Sequence, residues 1–174
     1  MFISHRSLDR GWLFVESGLV SGWVQARDVA FVDEEFKERY RMGRYAAITN
    51  DDAKLQGPDG DFLAQARVGA VFPLAERDDS SLSLLVPVRD RYGRASIARS
   101  RVSLSQAVEK PLPFNAANAA LVARELAGEP YGWGGLYGNR DCSAMLHDLL
   151  TPFGIWLPRN SRAQGATGLV VSLE

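Results

Sequence analysis

Residues 1–108 form a series of short apolar runs, and turn-forming residues interrupt each run before it reaches helix length. Clusters of Gly, Pro, Asn, Asp and Ser favour turns because these residues accept positive φ or bond to their own backbone. The interruptions include Ser17-Gly18, Asn50-Asp51-Asp52 and Gly57-Pro58-Asp59-Gly60. This part of the chain is therefore predicted to consist of short β-strands.

The pattern divides the chain into four regions. Residues 1–33 and residues 45–108 have the β pattern, and the charged stretch 34–44 between them fits a linker or a short helix. Residues 109–174 begin with the proline-rich stretch "KPLPF" and continue with helical patterns. We expect an α+β chain in which small β modules precede a partly helical region.

Two helices are predicted after the proline-rich stretch. Asn115 is a suitable N-cap for the alanine-rich run that follows it, and Gly128 and Pro130 end that helix. The second helix is expected from about Asp141 to Phe153 and is closed by Pro152 and Gly154. Its apolar face comprises Met145, Leu146, Leu149, Leu150 and Phe153.

The composition excludes several classes of function. A net charge of −1 gives the chain no overall field that would attract nucleic acid. No apolar run approaches the roughly 18 residues that a membrane-spanning helix needs. The first residues, "MFISHRSLDRGW", are too polar for an export signal, so we expect none in this chain.

The chain has one cysteine and two histidines. A single cysteine forms no disulfide within the chain, and this set of residues does not favour a structural zinc site. Composition alone leaves Cys142 open as either a buried small apolar residue or a reactive thiol.

The surroundings of Cys142 in the sequence favour reactivity. Asp-Cys-Ser stands at a predicted helix start, where unpaired N–H groups and the helix dipole favour the thiolate. Arg140 is expected to add positive charge in the same direction. The loop before it, "YGWGGLYGNR", is rich in glycine and lets a substrate approach the backbone closely.

Neither histidine is a convincing base for this thiol. His147 follows Cys142 by five residues, which turns its side chain by about 140° and raises it by about 7.5 Å on an α-helix. We expect His147 to be a solvated helix residue, and His5 to be a surface residue of the first β region.

Three motifs resemble the NlpC-type cysteine peptidase family, a papain-like group that cuts peptidoglycan stem peptides. They are "PYGWGG" (130–135), "RDCSA" (140–144) and "FGIWLPRNSRAQ" (153–164), in the family's order and at similar spacing. The regions before them look like bacterial SH3-like domains. The resemblance implies one or two SH3-like β-barrel modules, at 1–33 and 45–108, followed at 109–174 by the N-terminal half of an incomplete papain-like catalytic domain.

Site roles follow from this resemblance residue by residue. Cys142 matches the nucleophile, and Tyr131 matches a tyrosine that helps to stabilise the oxyanion. Asp141 and Ser143 match positions that hold the free amino end of the stem peptide. Trp133 and Arg159 match as scaffold, with Trp133 packing the loop and Arg159 pinning the chain after the helix.

The resemblance further implies hydrolysis of the γ-D-glutamyl to diamino acid bond through a thioester. It implies no metal or other cofactor, stem peptides as the partner, and a location in the cell envelope or periplasm.

The sequence departs from the family pattern at the catalytic base. The family places its catalytic histidine on strands beyond the cysteine helix, whereas the only histidine after Cys142 is His147. We therefore expect an inactive piece of a longer envelope hydrolase, cut at both ends. The cysteine helix is then expected to have little against which to bury Met145, Leu149 and Phe153.

A second interpretation is a non-catalytic module that binds the cell wall. It needs an aromatic surface, for which the candidates are Trp12, Trp23, Tyr45 and Phe62. Core packing is the more common role for such residues, and we expect it for all four.

Overall fold

A computed structural model describes residues 1–41 and 43–169. Within them, ten strands and four α-helices are present, and every strand ends before residue 110. The α+β class predicted from the sequence is confirmed.

The first three strands form a small antiparallel sheet in the order β1-β2-β3. They are β1 (Phe2–Arg6), β2 (Trp12–Glu16) and β3 (Ser21–Gln25). Leu13 and Val15 are buried on one face of this sheet. On the opposite face the ring of Phe14 meets that of Trp23 edge-on, with centroids 5.5 Å apart.

The prediction that the four aromatic candidates pack in a core is wrong for three of them. Trp12 and Trp23 lie on the outer face of the first sheet and are 42% and 52% exposed. Phe62 is 65% exposed, and only Tyr45 is half-buried. Side chains alternate between the two faces of a strand, and in this sheet the buried face is occupied by the intervening aliphatic residues.

A larger β unit follows the first sheet. Its five-stranded antiparallel sheet has the order β10-β4-β7-β8-β9, and β5 pairs with β6 in a separate hairpin. The strands are β4 (Tyr45–Ile48), β5 (Ala53–Gln56), β6 (Phe62–Ala66), β7 (Val71–Arg77), β8 (Ser81–Arg89), β9 (Ala95–Ser103) and β10 (Ala107–Glu109).

This unit has its own apolar core, to which the sheet and the hairpin both contribute. Burial of these aliphatic side chains is the main stabilising contribution to the unit. The largest fully buried ones are Ile48, Leu55, Leu74, Leu82, Leu84 and Val86.

Residues 29–41 run along the edge of the larger unit. The backbone of Phe31 donates to Gly93 O at 2.8 Å and accepts from Ala95 N at 2.8 Å, next to the start of β9. Helix α1 (Glu34–Tyr40) then begins at Asp33, whose side chain accepts from Phe36 N. The charged stretch thus contains a short helix that is tied to the β unit at its start.

Three more helices follow β10: α2 (Ala116–Glu125), α3 (Cys142–Leu150) and α4 (Ser161–Gly165). The predicted N-cap is confirmed for α2, since Asn115 Oδ1 accepts from Asn118 N at 2.9 Å. The predicted end of the cysteine helix is also confirmed. A 3-10 turn with Pro152 at its start follows α3, and Gly154 ends it with φ 79°.

The expectation that the cysteine helix has little to bury against is wrong. Phe153 is 6% exposed and packs in a second core with Val68, Val122 and Leu126. Leu149 and Leu150 pack against the same core. Helix α2 and the β6–β7 turn supply this contact surface, so only Met145 and Leu146 of the predicted face remain about 40% exposed.

The helices in residues 1–41 and 43–169 are all too short or too polar to cross a membrane.

Candidate active site

The thiol lies at the start of a helix and is accessible. Cys142 is the first residue of α3 and is exposed. Asp141 is the N-cap, and its Oδ1 accepts from Ala144 N at 2.8 Å. A thiol at this position faces the unpaired N–H end of the helix, as the Asp-Cys-Ser motif predicts.

A cavity of about 210 Å³ opens beside the thiol. Tyr131 lies on its wall and is 64% exposed. A parallel β-bridge joins Tyr131 to Arg140, with Gly132 N donating to Arg140 O at 2.9 Å. This bridge brings Tyr131 next to the segment that carries Cys142. The lining residues are Leu126, Glu129, Pro130, Tyr131, Arg140, Asp141, Cys142 and Met145.

The glycine-rich loop uses conformations that favour glycine. Gly134 and Gly135 have φ of 66° and 91°, and a Cβ on Gly132 would lie 2.5 Å from Leu136 O. Trp133 does not pack this loop as predicted, because it is 80% exposed. The tight turns project its indole outward from the backbone.

The Asp141 carboxylate accepts several hydrogen bonds. Besides the cap contact, Oδ1 accepts from Ser143 Oγ at 2.9 Å and from Arg159 Nη1 at 3.0 Å. Oδ2 accepts from Arg159 Nη2 at 3.0 Å and from Gly134 N at 3.2 Å. These five hydrogen bonds fill the roughly four lone-pair sites of a carboxylate. Arg159 thus pins the chain after the helix, as predicted.

Ser143 belongs to the same cluster. Its side chain is buried, and its Oγ also accepts from Arg159 Nη1 at 3.2 Å. Its carbonyl accepts from Gln164 Nε2 at 2.8 Å, which draws α4 back onto the start of α3. The structure therefore brings Cys142, Tyr131 and Asp141 together on one cavity, with Ser143 behind them.

The bonding around Asp141 lowers the pKa of its carboxyl well below the ordinary value of 3.8, chiefly through the Arg159 guanidinium. A group whose pKa is lower in the folded than in the unfolded state stabilises the fold above its unfolded pKa. That contribution is lost as the pH falls through the folded pKa.

Asp141→Asn is therefore expected to lower the free energy of unfolding by about 1–2 kcal/mol at pH 7, because asparagine keeps the cap but loses the ionic bonds to Arg159. The difference from the original chain should be constant between pH 7 and 5 and should shrink below about pH 4. Urea unfolding followed by tryptophan fluorescence across this range measures it. The exposed Asp28→Asn is the control, with little expected effect. A difference that persists undiminished to pH 2 would contradict the role given to the charge.

Arg140 does not direct its charge at the thiol, contrary to our expectation. It is 8% exposed, and Asp51 accepts from its Nη1 and Nη2 at 2.8 and 2.6 Å. Its Nε donates to Asp148 Oδ2 at 2.7 Å. A buried guanidinium needs such partners, and these two carboxylates neutralise it.

Neither histidine forms a hydrogen bond with Cys142 in the structure of the described residues. His147 Nδ1 lies 3.1 Å from Asp148 Oδ1, so the imidazole faces Asp148. Its side chain is only 14% exposed, so the prediction of a solvated histidine is wrong. His5 is exposed on β1, as predicted.

Three residues that bond around the site escaped the sequence analysis: Asp51, Arg67 and Glu129. The cluster Asn50-Asp51-Asp52 was interpreted only as a turn, and a turn signal carries no information about a partner 89 residues away.

Family models match three parts of the chain. Residues 1–25 match an SH3 domain of SH3b1 type, and residues 33–79 match an SH3 domain of SH3b2 type. Residues 128–173 match the NlpC/P60 family. A search of curated proteins found no match.

Two solved structures are similar to the chain. One is an NlpC/P60 endopeptidase from Photobacterium damselae subsp. piscicida, with 30% identity and a TM-score of 0.75 over 92% of this chain and 34% of that one. The other is an NlpC/P60 family protein from Bacillus cereus ATCC 10987. It has 18% identity and a TM-score of 0.73, over 98% of this chain and 58% of that one, and at that identity it supports the fold alone.

The chain thus spans about a third of the first relative and 58% of the second. Its motifs, its family matches and its fold agree with one another. These findings together support an NlpC/P60 segment with SH3b-type segments ahead of it.

Proposed function

We propose that this chain is the nucleophile-bearing part of a peptidoglycan hydrolase, a cysteine endopeptidase that cuts the γ-D-glutamyl to diamino acid bond of stem peptides. The single observation that supports this most is the exposed Cys142 at the N-terminus of α3, on a cavity shared with Tyr131 and Asp141.

In the proposed reaction the Cys142 thiolate attacks the carbonyl carbon, and the C–N bond breaks to leave a thioester. A general base first takes the thiol proton, and its protonated form then gives that proton to the departing amine. Water then hydrolyses the thioester and regenerates the thiol. Tyr131 is proposed to donate its hydroxyl to the oxyanion, since its backbone is fixed next to the cysteine segment.

We propose that Asp141 lies on the side of the cavity that receives the free amino end of the stem peptide, and that Ser143 supports it from behind. Arg159 already pairs with Asp141, so a substrate ammonium group must share that carboxylate with Arg159. The buried Ser143 hydroxyl keeps the carboxylate in position.

We further propose that the chain by itself has negligible peptidase activity. His147 faces Asp148 and His5 lies on β1, so neither accepts the thiol proton. The proposed site therefore needs a base that neither histidine provides.

The test uses the single thiol as its own reporter. Two reagents are compared, an L-Ala-γ-D-Glu chloromethyl ketone and chloroacetamide, and the rate at which each alkylates Cys142 is divided by its rate with free cysteine. The corrected rate should be on the order of tenfold higher for the peptide reagent, because its peptide part binds the cavity. Intact mass measures the label, and Cys142→Ala is the control. Equal corrected rates would overturn the substrate assignment.

The same purified chain is expected to release no diaminopimelate from L-Ala-γ-D-Glu-diaminopimelate. Turnover that is lost in Cys142→Ala would show that a base is present after all.

A second candidate function is cell-wall binding without cleavage, and the exposure of Trp12, Trp23 and Phe62 favours it. The SH3b-type matches support a location at the cell envelope for either function. Sedimentation with purified peptidoglycan tests the candidate: it predicts retention that is weakened by Trp23→Ala and unchanged by Cys142→Ala.

A further inference from the structure

Two loops of the larger β unit contact both ends of the glycine-rich segment beside the thiol. Asp51 lies between β4 and β5, and Arg67 lies between β6 and β7. We propose that Asp51 and Arg67 are positioning residues that clamp residues 129–140 and so fix Tyr131 and Cys142 relative to each other. The proposal rests on the nucleophile role proposed for Cys142.

At the far end of the segment, Asp51 holds Arg140. The two side chains are 10% and 8% exposed, and two parallel hydrogen bonds of 2.6 and 2.8 Å join them. Arg140 Nη2 also donates to Val68 O at 3.2 Å, so the guanidinium is inserted into the β unit. Such a fork-to-fork pair fixes direction as well as distance.

At the near end, Arg67 holds Glu129. Its Nη2 donates to Glu129 Oε2 at 3.1 Å, and its Nη1 donates to Gly138 O. The same guanidinium donates from Nε and Nη2 to Asp51 Oδ2, at 3.1 and 2.8 Å. Arg67 therefore links both ends of the glycine-rich segment to one carboxylate.

The carboxylate at the centre of the clamp is ionised and fully engaged. Burial by itself raises the pKa of Asp51, but hydrogen bonds from Arg140 and Arg67 outweigh it, and the pKa lies below its ordinary value. Its Oδ1 also accepts from Val68 N at 3.0 Å, which holds it against the backbone of its own unit.

The clamp reaches the thiol through the backbone of Arg140. The Arg140 carbonyl accepts from Gly132 N, next to Tyr131, and Arg140 is followed directly by the N-cap Asp141 and by Cys142. Movement of Arg140 therefore displaces the oxyanion donor and the nucleophile together. Glu129 and Arg140 also line the cavity, so the same movement changes its wall.

Hydrogen exchange measured by mass spectrometry tests the clamp on the chain as it is. Asp51→Asn should speed amide exchange in residues 129–145 by about tenfold or more, because local opening no longer requires breaking the ionic pairs. Exchange in strands β8 and β9 should change less than about twofold. Asp78→Asn is the matched control, since Asp78 bonds to Ser80, Ser81 and Arg101 within the β unit.

An equal acceleration in both regions would mean that Asp51 only stabilises the fold, and no acceleration would mean that it holds nothing. Either result overturns the proposal. If Asp51→Asn does not fold, Arg67→Gln gives the same test, because Arg67 is 34% exposed and its loss is better tolerated.

The readout does not depend on peptidase chemistry. Suppose that the peptide chloromethyl ketone shows no rate advantage, while amide exchange in residues 129–145 of Asp51→Asn is selectively faster. The clamp is then supported and the assigned substrate is wrong. If the peptide reagent does show the rate advantage but exchange in residues 129–145 is not selectively faster, the assigned substrate is supported and the clamp is wrong.

Discussion

Phe153→Ala is expected to lower the free energy of unfolding by about 3–4 kcal/mol, which is typical for truncation of a buried phenylalanine. Phe153 is almost fully buried among Val68, Val122 and Leu126, and its ring meets that of Phe114 edge-on at 5.1 Å. The residues around it come from α2, from a β turn and from the proline-rich stretch. The resulting cavity cannot close without moving several elements, so little of the loss is recovered.

Urea denaturation followed by far-UV circular dichroism measures this change. Phe62→Ala is the control, because Phe62 is a phenylalanine of the same chain with 65% of its surface exposed. The control should lose less than about 1 kcal/mol. Equal losses in the two variants would show that the second core contributes no more than a surface residue does.

Gly69→Ala is expected to cost about 2–5 kcal/mol and to loosen α3 from the β unit. Gly69 has φ +87°, which alone costs a non-glycine residue about 1–2 kcal/mol. A Cβ at this position would also lie 2.8 Å from Asp148 Cα and 3.0 Å from Asp148 O. That contact is with helix backbone, so it can be relieved only by moving the helix, and such overpacking costs about 1–3 kcal/mol more.

Gly60→Ala separates the two contributions. Gly60 has φ +80° in the β5–β6 turn, and a Cβ there would meet nothing within 4 Å. The Gly60→Ala variant therefore has the backbone strain but no steric clash, and its free energy of unfolding is expected to fall by about 1–2 kcal/mol. Urea unfolding of the two variants side by side measures the difference. If Gly60→Ala costs as much as Gly69→Ala, the close approach to α3 is not what requires glycine.

Local signals were sufficient to predict α2 and α3, whereas the short helix α4 was not predicted. Asn115 and Asp141 act as N-caps, and Gly154 ends the turn after α3, because each contact spans only a few residues. The same locality explains why Cys142 could be placed at a helix start. Arg159 was assigned to pin the chain from the family pattern, and its partner is Asp141.

Contacts between distant parts of the chain were not predictable from the pattern. The charge of Arg140 was expected to act on the thiol, yet the residue is engaged by Asp51, 89 positions earlier. The exposure of Trp133 and the burial of His147 depend on which element covers each of them. A single sequence does not show which element will pack over a given residue.

The arrangement of the clamp also has a consequence for the order of folding. Asp51 and Arg67 belong to a β unit whose last strand ends at Glu109, and domains generally fold as units with the N-terminal one first during synthesis. Arg140 leaves the ribosome after that unit is complete, and Arg159 and Gln164 close the cap of α3 later still. Cys142 is thus expected to reach its final geometry last, on a surface that has already folded.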